Sequence, residues 1–378
     1  MADTNMLMWF FTSYLGINPS QGCTNGCGYC MLERDVPNPT KVTKKETAKY
    51  TLEAIMKDKR VSKRNPLALY NLSDPFLKDN LGDLLYILEG MENKGQENIV
   101  VLITKLNPDK VAPQYKALDR IAKFKHLRPV IMVSYANAPK EVEPASKTDR
   151  LELMATSKEL KIPVVQYTRP LWEGWTPMDK VHEMAEETAH LVTSVVVGGI
   201  VMTDSITQRL KKRGVPIPPW GNEKGRYMDE KFKRSVIDAY KKRNPDIGVF
   251  VNSSCGISHA LKIPNYMGYY RHFSSKSPVG YCQRYCHPAQ RERCGSAEPP
   301  IRKLDGLSQE DREKEEGKVQ LWMDKFNASR SYFNICDGYI EVFFRMAEQE
   351  ARWMRQHTGV FVYSPYNFKN FEHRPTFF

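Results

Sequence analysis

The sequence has no uncharged apolar stretch of the roughly 20 residues that a helix needs to cross a bilayer. Residues 2–5 are polar, and no basic segment precedes the short apolar run that follows them, so we do not expect a signal peptide. We therefore expect a cytoplasmic protein in a reducing compartment, without membrane contact. An oxidised extracellular domain is the less favoured alternative.

Cysteine is missing from the middle of the chain, between Cys30 and Cys255. The 378-residue sequence has eight cysteines, and a chain of this length can bury a core without disulfide support. Three cysteines lie near the start and the other five in the last third. Such clustering is more typical of metal ligation than of a secreted disulfide framework.

Acidic residues are outnumbered: 44 Asp and Glu stand against 56 Lys and Arg, which gives a formal net charge of +12. A basic protein can contact polyanions, and basic residues occur in runs at 57–64, 209–213 and 231–243. All three runs fall on or beside predicted helices, where solvated helix faces account for them equally well. The charge therefore gives only weak support for a nucleic acid partner.

A Gly-x-Gly-x-x-Gly motif after a strand, the mark of a dinucleotide-binding open sheet, is also missing; Gly198 and Gly199 fall inside a predicted strand. The sequence instead alternates short β-rich runs with helical stretches from residue 7 to about 261. The predicted strands are 8–13, 67–72, 99–104, 129–134, 163–167, 195–201 and 248–252. Six or seven such units predict an α/β fold, a partial or complete parallel (β/α) barrel, with a doubly wound open sheet as the main alternative.

The boundaries of helices and domains follow from local signals. Thr43 followed by Glu46 has the pattern of a capping box at the start of the first helix. After the last predicted strand the rhythm changes, and residues 340–363 can be interpreted as strand, helix and strand. We therefore divide the chain into a barrel domain, 1–262, and a C-terminal extension, 263–378.

Three cysteines, Cys23, Cys27 and Cys30, are spaced as C-x₃-C-x₂-C after the first predicted strand. Three thiolates leave one iron of a [4Fe–4S] cluster without a protein ligand, and that open iron can bind a cofactor. Glycines at 22, 26 and 28 give the loop the freedom to wrap a cluster. Structural zinc needs four closed ligands, usually in two pairs, and no second pair follows nearby. The motif therefore predicts an iron–sulfur cluster rather than zinc or buried structural cysteines.

The spacing, with the aromatic Tyr29 before the third cysteine, resembles the signature of the radical S-adenosylmethionine (SAM) superfamily. More narrowly, the sequence resembles the spore photoproduct lyase-like branch through short motifs in the residues up to about 170. These motifs are Asn18-Pro19 with Gly22, Ser73-Asp74-Pro75-Phe76, Thr104-Lys105, Ser134, and Glu143-Pro144 leading to Arg150. The resemblance implies a (β/α) barrel, a [4Fe–4S] cluster and bound SAM, which the reduced cluster cleaves to give a 5′-deoxyadenosyl radical.

The resemblance also implies which residues contact SAM. Asn71, Ser73 and Asp74 would face its methionyl amino group, although the chain lacks the Gly-Gly-Glu motif of many relatives. Lys105 and Ser134 would meet its carboxylate or ribose. Structural alternatives stay open for three of them: Lys105 as a solvated strand end, Ser134 as a turn hydroxyl and Asp74 as a helix N-cap.

Three further residues complete the predicted cofactor site. By the same resemblance, Tyr29 would lie against the adenine side of SAM. Gln166 and Arg169, at the end of the fifth predicted strand, are candidates for SAM or substrate contact. Their position at the carboxyl end of a parallel strand is where barrel sites are built.

A second group, Cys282, Cys286 and Cys294, lies in the extension. Three cysteines within thirteen residues predict another metal site, with Cys255 or Cys336 as a fourth ligand. Closure by four ligands would make it an auxiliary [4Fe–4S] cluster or a structural zinc. Reduced, partly buried thiols are the structural alternative.

Cys255 follows the seventh predicted strand, so it can also face the barrel mouth. There it would be placed to donate a hydrogen atom to a product radical. A cysteine has this role in spore photoproduct lyase, although in another part of the barrel. A small buried hydrophobic residue is the alternative interpretation.

The leading prediction is a radical SAM enzyme that abstracts hydrogen from an unactivated carbon, with an electron supplied by a donor such as flavodoxin or ferredoxin. The resemblance and the basic charge favour a nucleic acid or nucleotide substrate, whereas the cysteine-rich extension suits a peptide or a small metabolite equally. A non-catalytic iron–sulfur or zinc protein that binds nucleic acid is a different class of function. It explains the charge and the cysteines but not the motifs at the strand ends.

Overall fold

The computed structural model describes residues 7–32, 36, 38–63, 65–217, 228–268, 285–298, 300–325, 333–336 and 339–364. Strands and helices alternate along most of this length, as the sequence predicts. None of the helices in these ranges combines the length and the apolar composition that a membrane span requires.

The strands form three sheets. The main sheet has eight strands, and two small sheets have two and three strands. In chain order the strands are β1 (Met8–Phe10), β2 (Leu15–Ile17), β3 (Ser20–Gln21), β4 (Thr43–Lys44), β5 (Leu67–Leu69), β6 (Ile99–Thr104), β7 (Arg128–Ser134), β8 (Val164–Thr168), β9 (Ser194–Val197), β10 (Gly248–Phe250), β11 (Phe333–Cys336), β12 (Tyr339–Val342) and β13 (Phe361–Tyr363).

Helices connect most consecutive strands of the main sheet. They are α1 (Ala48–Lys57), α2 (Lys78–Asn93), α3 (Pro108–Val111), α4 (Ala117–Ile121), α5 (Lys147–Glu159), α6 (Met178–Thr188), α7 (Asp204–Lys212), α8 (Glu230–Arg243), α9 (Ser253–Ala260), α10 (Pro288–Ser296), α11 (Gln309–Lys325) and α12 (Glu348–Thr358). A single 3₁₀ turn, Pro113–Tyr115, separates α3 from α4.

The main sheet has the order β1-β2-β5-β6-β7-β8-β9-β10. From β2 to β10 every neighbouring pair is parallel, and β1 alone is antiparallel to its neighbour β2. Within the described residues β1 and β10 do not pair, so the sheet stays open. The predicted α/β fold with a partial parallel (β/α) barrel is therefore confirmed.

Both faces of the central strands are buried, which explains their nearly continuous apolar sequences. In β6, Val100 and Leu102 point outward into the core beneath the helices, whereas Val101 points inward. The inward-facing side chains form a separate cluster with Val130 and Val165. Two apolar layers thus hold the sheet rigidly and fix where each strand ends.

Helix α9 differs from the other barrel helices because it packs against the inner face of the sheet. Ile257 belongs to the inward-facing cluster with Val165 and Val196. A Cβ atom at Gly256 would lie 2.4 Å from Val196, so only glycine lets the helix approach this closely. Ser194 Oγ also donates to the Gly256 carbonyl at 2.8 Å. The chain therefore fills the open barrel with its own helix.

The predicted strand 8–13 is wrong in its second half. Phe11 N donates to Tyr14 O at 2.9 Å, closing a turn that joins β1 to β2 as an antiparallel hairpin. The sequence hides this turn because its flanking residues are apolar on both sides. The first parallel strand is consequently β2, which leads directly to the cysteines.

Two local predictions are corrected in detail. The predicted strand 195–201 ends at Val197, so the glycines at 198 and 199 follow the strand instead of lying inside it. The first helix is capped by Thr47, whose Oγ accepts from Tyr50 N at 3.1 Å. Thr43 instead pairs with Gln21 in the small β3–β4 sheet.

The extension forms a separate three-stranded sheet with helices beside it. Its last part, β12, α12 and β13, confirms the predicted order of strand, helix and strand. Helix α12 lies against β1: Gln349 Oε1 accepts from Phe10 N at 3.0 Å, and Arg352 donates to Phe10 O at 3.0 Å. The ring of Trp353 stacks on Phe10 at 5.7 Å. The exposed edge of the main sheet is thereby covered, while the division at residue 262 stays a prediction.

Candidate active site at the cysteine loop

The three cysteines of the first motif line one cleft at the carboxyl ends of the parallel strands. The cleft has a volume of about 260 Å³. Besides Cys23, Cys27 and Cys30, its wall includes most of the predicted cofactor residues. These are Tyr29, Asn71, Ser73, Asp74, Lys105, Ser134 and Arg169. The strand ends therefore gather these dispersed residues around the three thiols.

The cysteine loop is held by backbone contacts from three directions. Gly22 N donates to Leu72 O at 2.9 Å, and Gly28 N donates to Val142 O at 2.7 Å. Gly22 has a φ of +87°, and a Cβ atom there would lie 2.0 Å from the carbonyl oxygen of Lys41. Only glycine fits such a position. The loop is thus placed by its glycines before any cofactor binds.

The donor chemistry of the loop fits an iron–sulfur cluster. Burial raises the pKa of the Cys23 thiol to about 12, and the charge of Asp74 adds to the shift. Burial likewise raises the pKa of Cys27 to about 11, against the opposing charge of Lys105. Both are therefore neutral at pH 7 unless a metal takes the place of the proton, because ligation requires the thiolate.

The three thiols do not have to meet at one point to hold a cluster, because each cysteine of a [4Fe–4S] cluster binds a different iron. Across the described ranges, no three His, Cys, Asp or Glu side chains converge closely enough to hold one metal ion. Cys23, Cys27 and Cys30 are all partly exposed and line the same cleft, as ligands of three separate irons would.

Asp74 connects the cysteine loop to two strand ends. Its Oδ1 accepts from Thr104 Oγ1 at 2.7 Å and from Phe76 N at 3.0 Å. Its Oδ2 accepts from Lys105 N at 2.9 Å and from Asn25 Nδ2 at 3.0 Å. Burial raises the pKa of this carboxyl, although the hydrogen bonds from Lys105 N, Thr104 and Phe76 N and the charge of Lys105 oppose the shift. Because both oxygens already serve protein donors, Asp74 supports the cleft wall as well as lining it.

An ionic network lies beneath the cleft, centred on the fully buried Glu143. Its Oε1 lies 3.0 Å from Lys105 Nζ and accepts from Tyr29 Oη at 2.5 Å. Its Oε2 lies 2.9 Å from Arg150 Nη1, and the same nitrogen donates to Ser134 O at 3.1 Å. Sequence reasoning noted Glu143 and Arg150 only as motif members and assigned them no role. In the structure, Glu143 pairs with the predicted site residue Lys105, and Arg150 donates to the backbone of the predicted site residue Ser134.

The charges in this network determine its protonation. Burial alone would raise the pKa of Glu143, but the charges of Lys105 and Arg150 and hydrogen bonds from Tyr29 and Arg150 lower it to about 2. Burial would lower the pKa of Lys105, but the charges of Glu143 and Cys27 together with the Glu143 hydrogen bond outweigh burial and raise the pKa. Burial and then the charge of Glu143 hold the pKa of Tyr29 well above its usual value. At neutral pH the site therefore holds a carboxylate, an ammonium and a neutral phenol.

Lys105 keeps one hydrogen-bond donor for a ligand. Its Nζ donates to Ser134 Oγ and pairs with Glu143. An ammonium group has three donors, so the third is available in the cleft that Lys105 lines. Lys105 and Ser134, predicted to contact SAM together, are thus in direct contact with each other.

Gln166 and Arg169 come from the same strand end but lie on different faces. The Gln166 side chain is fully buried toward the helices, where its Oε1 accepts from Thr188 Oγ1 at 2.7 Å and from Tyr240 Oη at 2.9 Å. This placement does not bring Gln166 to the cleft. Arg169 does line the cleft, with its guanidinium donating to the carbonyl of Val251.

Cys255 lies on α9 and lines neither the cleft nor the cavity beside it. Asn265 connects it to the second cysteine group: Asn265 Nδ2 lies 3.3 Å from Cys255 Sγ, and Asn265 N lies 3.4 Å from Cys294 Sγ. Cys286 is a partly buried cysteine close before α10, and Cys282 lies outside the described residues. The structure thus brings Cys255 near Cys294 and not near the three-cysteine loop.

A second cavity of about 500 Å³ adjoins the cleft, and Tyr167, Arg169 and Gly199 line both. Its wall is mixed in character, with the aromatic Phe11 and the charged Lys233 among its residues. Its volume is that of a site for one small molecule or one residue of a polymer. A substrate placed there would lie next to whatever occupies the cleft.

Comparison with known proteins gives a match in structure only. No family model matches the sequence, and no curated protein does. A cysteine-to-serine variant of spore photoproduct lyase superposes with a TM-score of 0.51 at 15% identity, over 64% of this chain and 78% of that chain. A double variant of that lyase with bound AdoMet and dinucleoside spore photoproduct gives 0.50 at 14% identity, over the same shares. The chain therefore shares the fold of this lyase.

Proposed function

We propose that this chain is a radical SAM enzyme that holds a [4Fe–4S] cluster on Cys23, Cys27 and Cys30 and binds SAM in the cleft beside them. One observation carries the proposal: all three thiols line one cleft at the carboxyl ends of parallel strands, in the fold of spore photoproduct lyase. When bound, the reduced cluster would supply the electron that cleaves SAM to a 5′-deoxyadenosyl radical, which abstracts hydrogen from the substrate.

The protein's part in this reaction is to bind and orient SAM. The remaining N–H donor of Lys105 would bind the SAM carboxylate. The ion pair with Glu143 would hold the Lys105 ammonium group in place for this contact. Asn71 and Ser73 line the same cleft and would face the methionyl amino group. Tyr29, whose hydroxyl is tied to Glu143, would present its ring to the adenine side. Arg169 is left for the substrate side, since it lines both cavities.

A nucleic acid or nucleotide is the substrate class that we favour. The fold match includes a lyase structure with a bound dinucleoside, and the net charge of +12 suits a polyanion. The adjoining cavity would take one nucleotide. A peptide or small metabolite is the alternative, and a non-catalytic iron–sulfur or zinc protein that binds nucleic acid is the second alternative.

A second metal centre in the extension is part of the proposal. The shared contacts of Asn265 with Cys255 and Cys294 support Cys255 as a ligand there, in preference to a hydrogen donor in the cleft. Such a role requires reduced thiols, as do the three cysteines of the cleft, so we propose a cytoplasmic location. The electron would come from a flavodoxin or ferredoxin.

The test is anaerobic reconstitution with iron and sulfide, followed by reduction with dithionite in the presence of SAM. We expect a four-iron cluster by electron paramagnetic resonance and formation of 5′-deoxyadenosine. Replacing Cys23, Cys27 and Cys30 together by Ala should abolish 5′-deoxyadenosine formation and remove the resonance signal of the loop cluster, whereas Cys336→Ala, in β11 of the extension, should keep both. If the triple variant forms 5′-deoxyadenosine at the parent rate, the proposed function is wrong.

A further inference from the structure

Helix α7 covers the side of the cysteine loop that faces away from the cleft. Arg209 Nε donates to Gly28 O at 2.8 Å, and its Nη2 donates to Cys30 O at 2.8 Å. The buried side chains of Ile206 and Leu210 pack in one apolar cluster with Tyr29. No residue of α7 lines the cleft. The helix therefore separates the cysteine loop from solvent on its far side.

The outer face of α7 carries positive charge without an acidic partner among the described residues. Lys211 and Lys212, in its last turn, are both exposed. Neither forms an ion pair with any residue that the structure describes. Arg213 follows them and donates to the carbonyl oxygen of Glu141 at 2.9 Å rather than to a carboxylate. Other basic side chains on the barrel helices do find acidic partners, as Lys147 does with Glu183.

We propose that this face, formed by Lys211, Lys212 and Arg213, is the docking site for an acidic electron-donor protein. The inference rests on the proposed function, which needs one electron delivered to the cysteine loop. The donor loses that electron, and the cluster proposed on the loop gains it. A helix with its side chains is about 10–12 Å across, so a donor on this face would be separated from the loop by one helix layer. Opposite charge would bring the two proteins together and orient them.

A nucleic acid is a poorer occupant for this face. A polymer substrate has to present its reacting carbon in the cleft or in the cavity beside it, and no residue of α7 lines either of them. An electron, in contrast, can cross the helix without any opening. The side of the loop on which the lysines lie therefore favours the electron donor.

The experiment uses the full chain and a flavodoxin of net negative charge. The double variant Lys211→Glu/Lys212→Glu should bind oxidised flavodoxin at least tenfold more weakly in surface plasmon resonance at low salt. With reduced flavodoxin as donor, its 5′-deoxyadenosine formation should fall by a similar factor. With dithionite as donor, the rate should equal that of the parent. Added salt should weaken parent binding steeply and variant binding little.

A matched control is available at the opposite end of the barrel. Lys123 and Lys125 are exposed lysines before β7, at the amino ends of the strands, and their double exchange to Glu should leave flavodoxin binding unchanged. Parent-like flavodoxin binding by the Lys211/Lys212 variant would overturn the proposal. So would a selective loss of binding to a labelled oligonucleotide, which would identify a nucleic acid surface. If the parent forms no 5′-deoxyadenosine with dithionite, the proposed function itself is wrong, and the proposal of a docking site for an electron donor is wrong as well.

Discussion

The two cysteine-bearing regions differ in the charge that surrounds their sulfurs. The N-terminal loop lies above a buried carboxylate that is paired with Lys105 and Arg150. Around Cys255 and Cys294, neutral groups contact the sulfurs: the Asn265 side chain lies 3.3 Å from Cys255 Sγ, and the Asn265 backbone N and the Gln290 side chain lie 3.4 and 3.3 Å from Cys294 Sγ. Fixed charges suit a site that binds a charged ligand and turns it over, whereas neutral partners suit a closed, structural centre. This contrast can be tested at both sites in parallel.

The largest difference should appear when one cysteine is exchanged in each region. Cys27→Ala should abolish 5′-deoxyadenosine formation, because no other residue of the loop supplies its thiolate. Cys294→Ala should lower the iron or zinc content while SAM cleavage continues, and it should impair substrate conversion more. Metal analysis and product chromatography on the same samples separate the two results. Equal loss of SAM cleavage in both variants would remove the distinction between the regions.

The next difference concerns stability. Glu143→Gln leaves Lys105 and Arg150 buried without their counter-charge, so we expect a loss of about 3–5 kcal/mol in the free energy of unfolding. Glu315 in the extension is just as buried, but its partners Arg302 and Lys318 are about 40% exposed and can be solvated. Glu315→Gln should therefore cost only about 1–2 kcal/mol. Denaturant titration of both variants measures the contrast, and similar losses would contradict it.

A smaller effect is expected on SAM affinity. Lys105→Ala removes the donor that would meet the SAM carboxylate, and the loss should be about 1–3 kcal/mol in binding free energy if the contact is partly desolvated. Asp74→Ala should weaken binding too, and it should also loosen the loop through Asn25 and the Lys105 backbone amide. Equilibrium dialysis with labelled SAM gives the affinities, and the iron content of the loop site serves as the control. Parent-like affinity in both variants would remove these residues from the SAM site.

The smallest effect separates the two regions by pH. Burial, then the charges of His287 and Arg293, lower the pKa of His259 to about 4 from a usual value near 6.5. Neutral His259 makes its full contribution to the free energy of unfolding above pH 6.5. This contribution is lost as the pH falls toward 4, because the histidine takes up a proton in the unfolded chain at a higher pH than in the folded one. We expect about 1 kcal/mol of this loss between pH 7 and 5.5.

The network of Glu143 responds in a lower window. Its folded pKa of about 2 means that its contribution is present above the unfolded value near 4.3 and is lost only as the pH falls from there toward 2. The Tm of metal-free protein should therefore depend less on pH between 7 and 5.5 in His259→Gln than in the parent. In Glu143→Gln the change of Tm over this pH range should equal that of the parent. If Tm changes with pH in the His259 variant as it does in the parent, His259 is not responsible for the loss of stability in this range.

Sequence patterns predicted the parts of the site that local chemistry determines. The strand Ile99–Thr104 was predicted to the residue, because an apolar run bounded by polar residues identifies a buried parallel strand. The three thiols were predicted from their spacing, and Lys105 and Ser134 from their positions at the ends of predicted strands. The ionic centre was not predicted, because Glu143 meets Lys105 and Tyr29, which lie far from it in the sequence, only where separate strand ends come together in the fold. Gln166 was predicted to contact SAM or substrate at the strand end, but its side chain faces the helices. A strand that is buried on both faces has no sequence signal that distinguishes its inner face from its outer face.

The contact between α12 and β1 has a consequence for how the chain folds. Arg352 and Phe10 are separated by 342 residues, and α12 supplies the partners of the Phe10 backbone N and O in the edge strand. At the usual 5–20 residues per second, the ribosome needs roughly 20 to 70 s to synthesise that interval. During that time β1 is an unpaired strand edge, the kind of surface on which nascent chains associate wrongly. The edge strand β1 is thus completed by helix α12, and a molecular chaperone that shields the N-terminal hairpin would have its effect within that minute of synthesis.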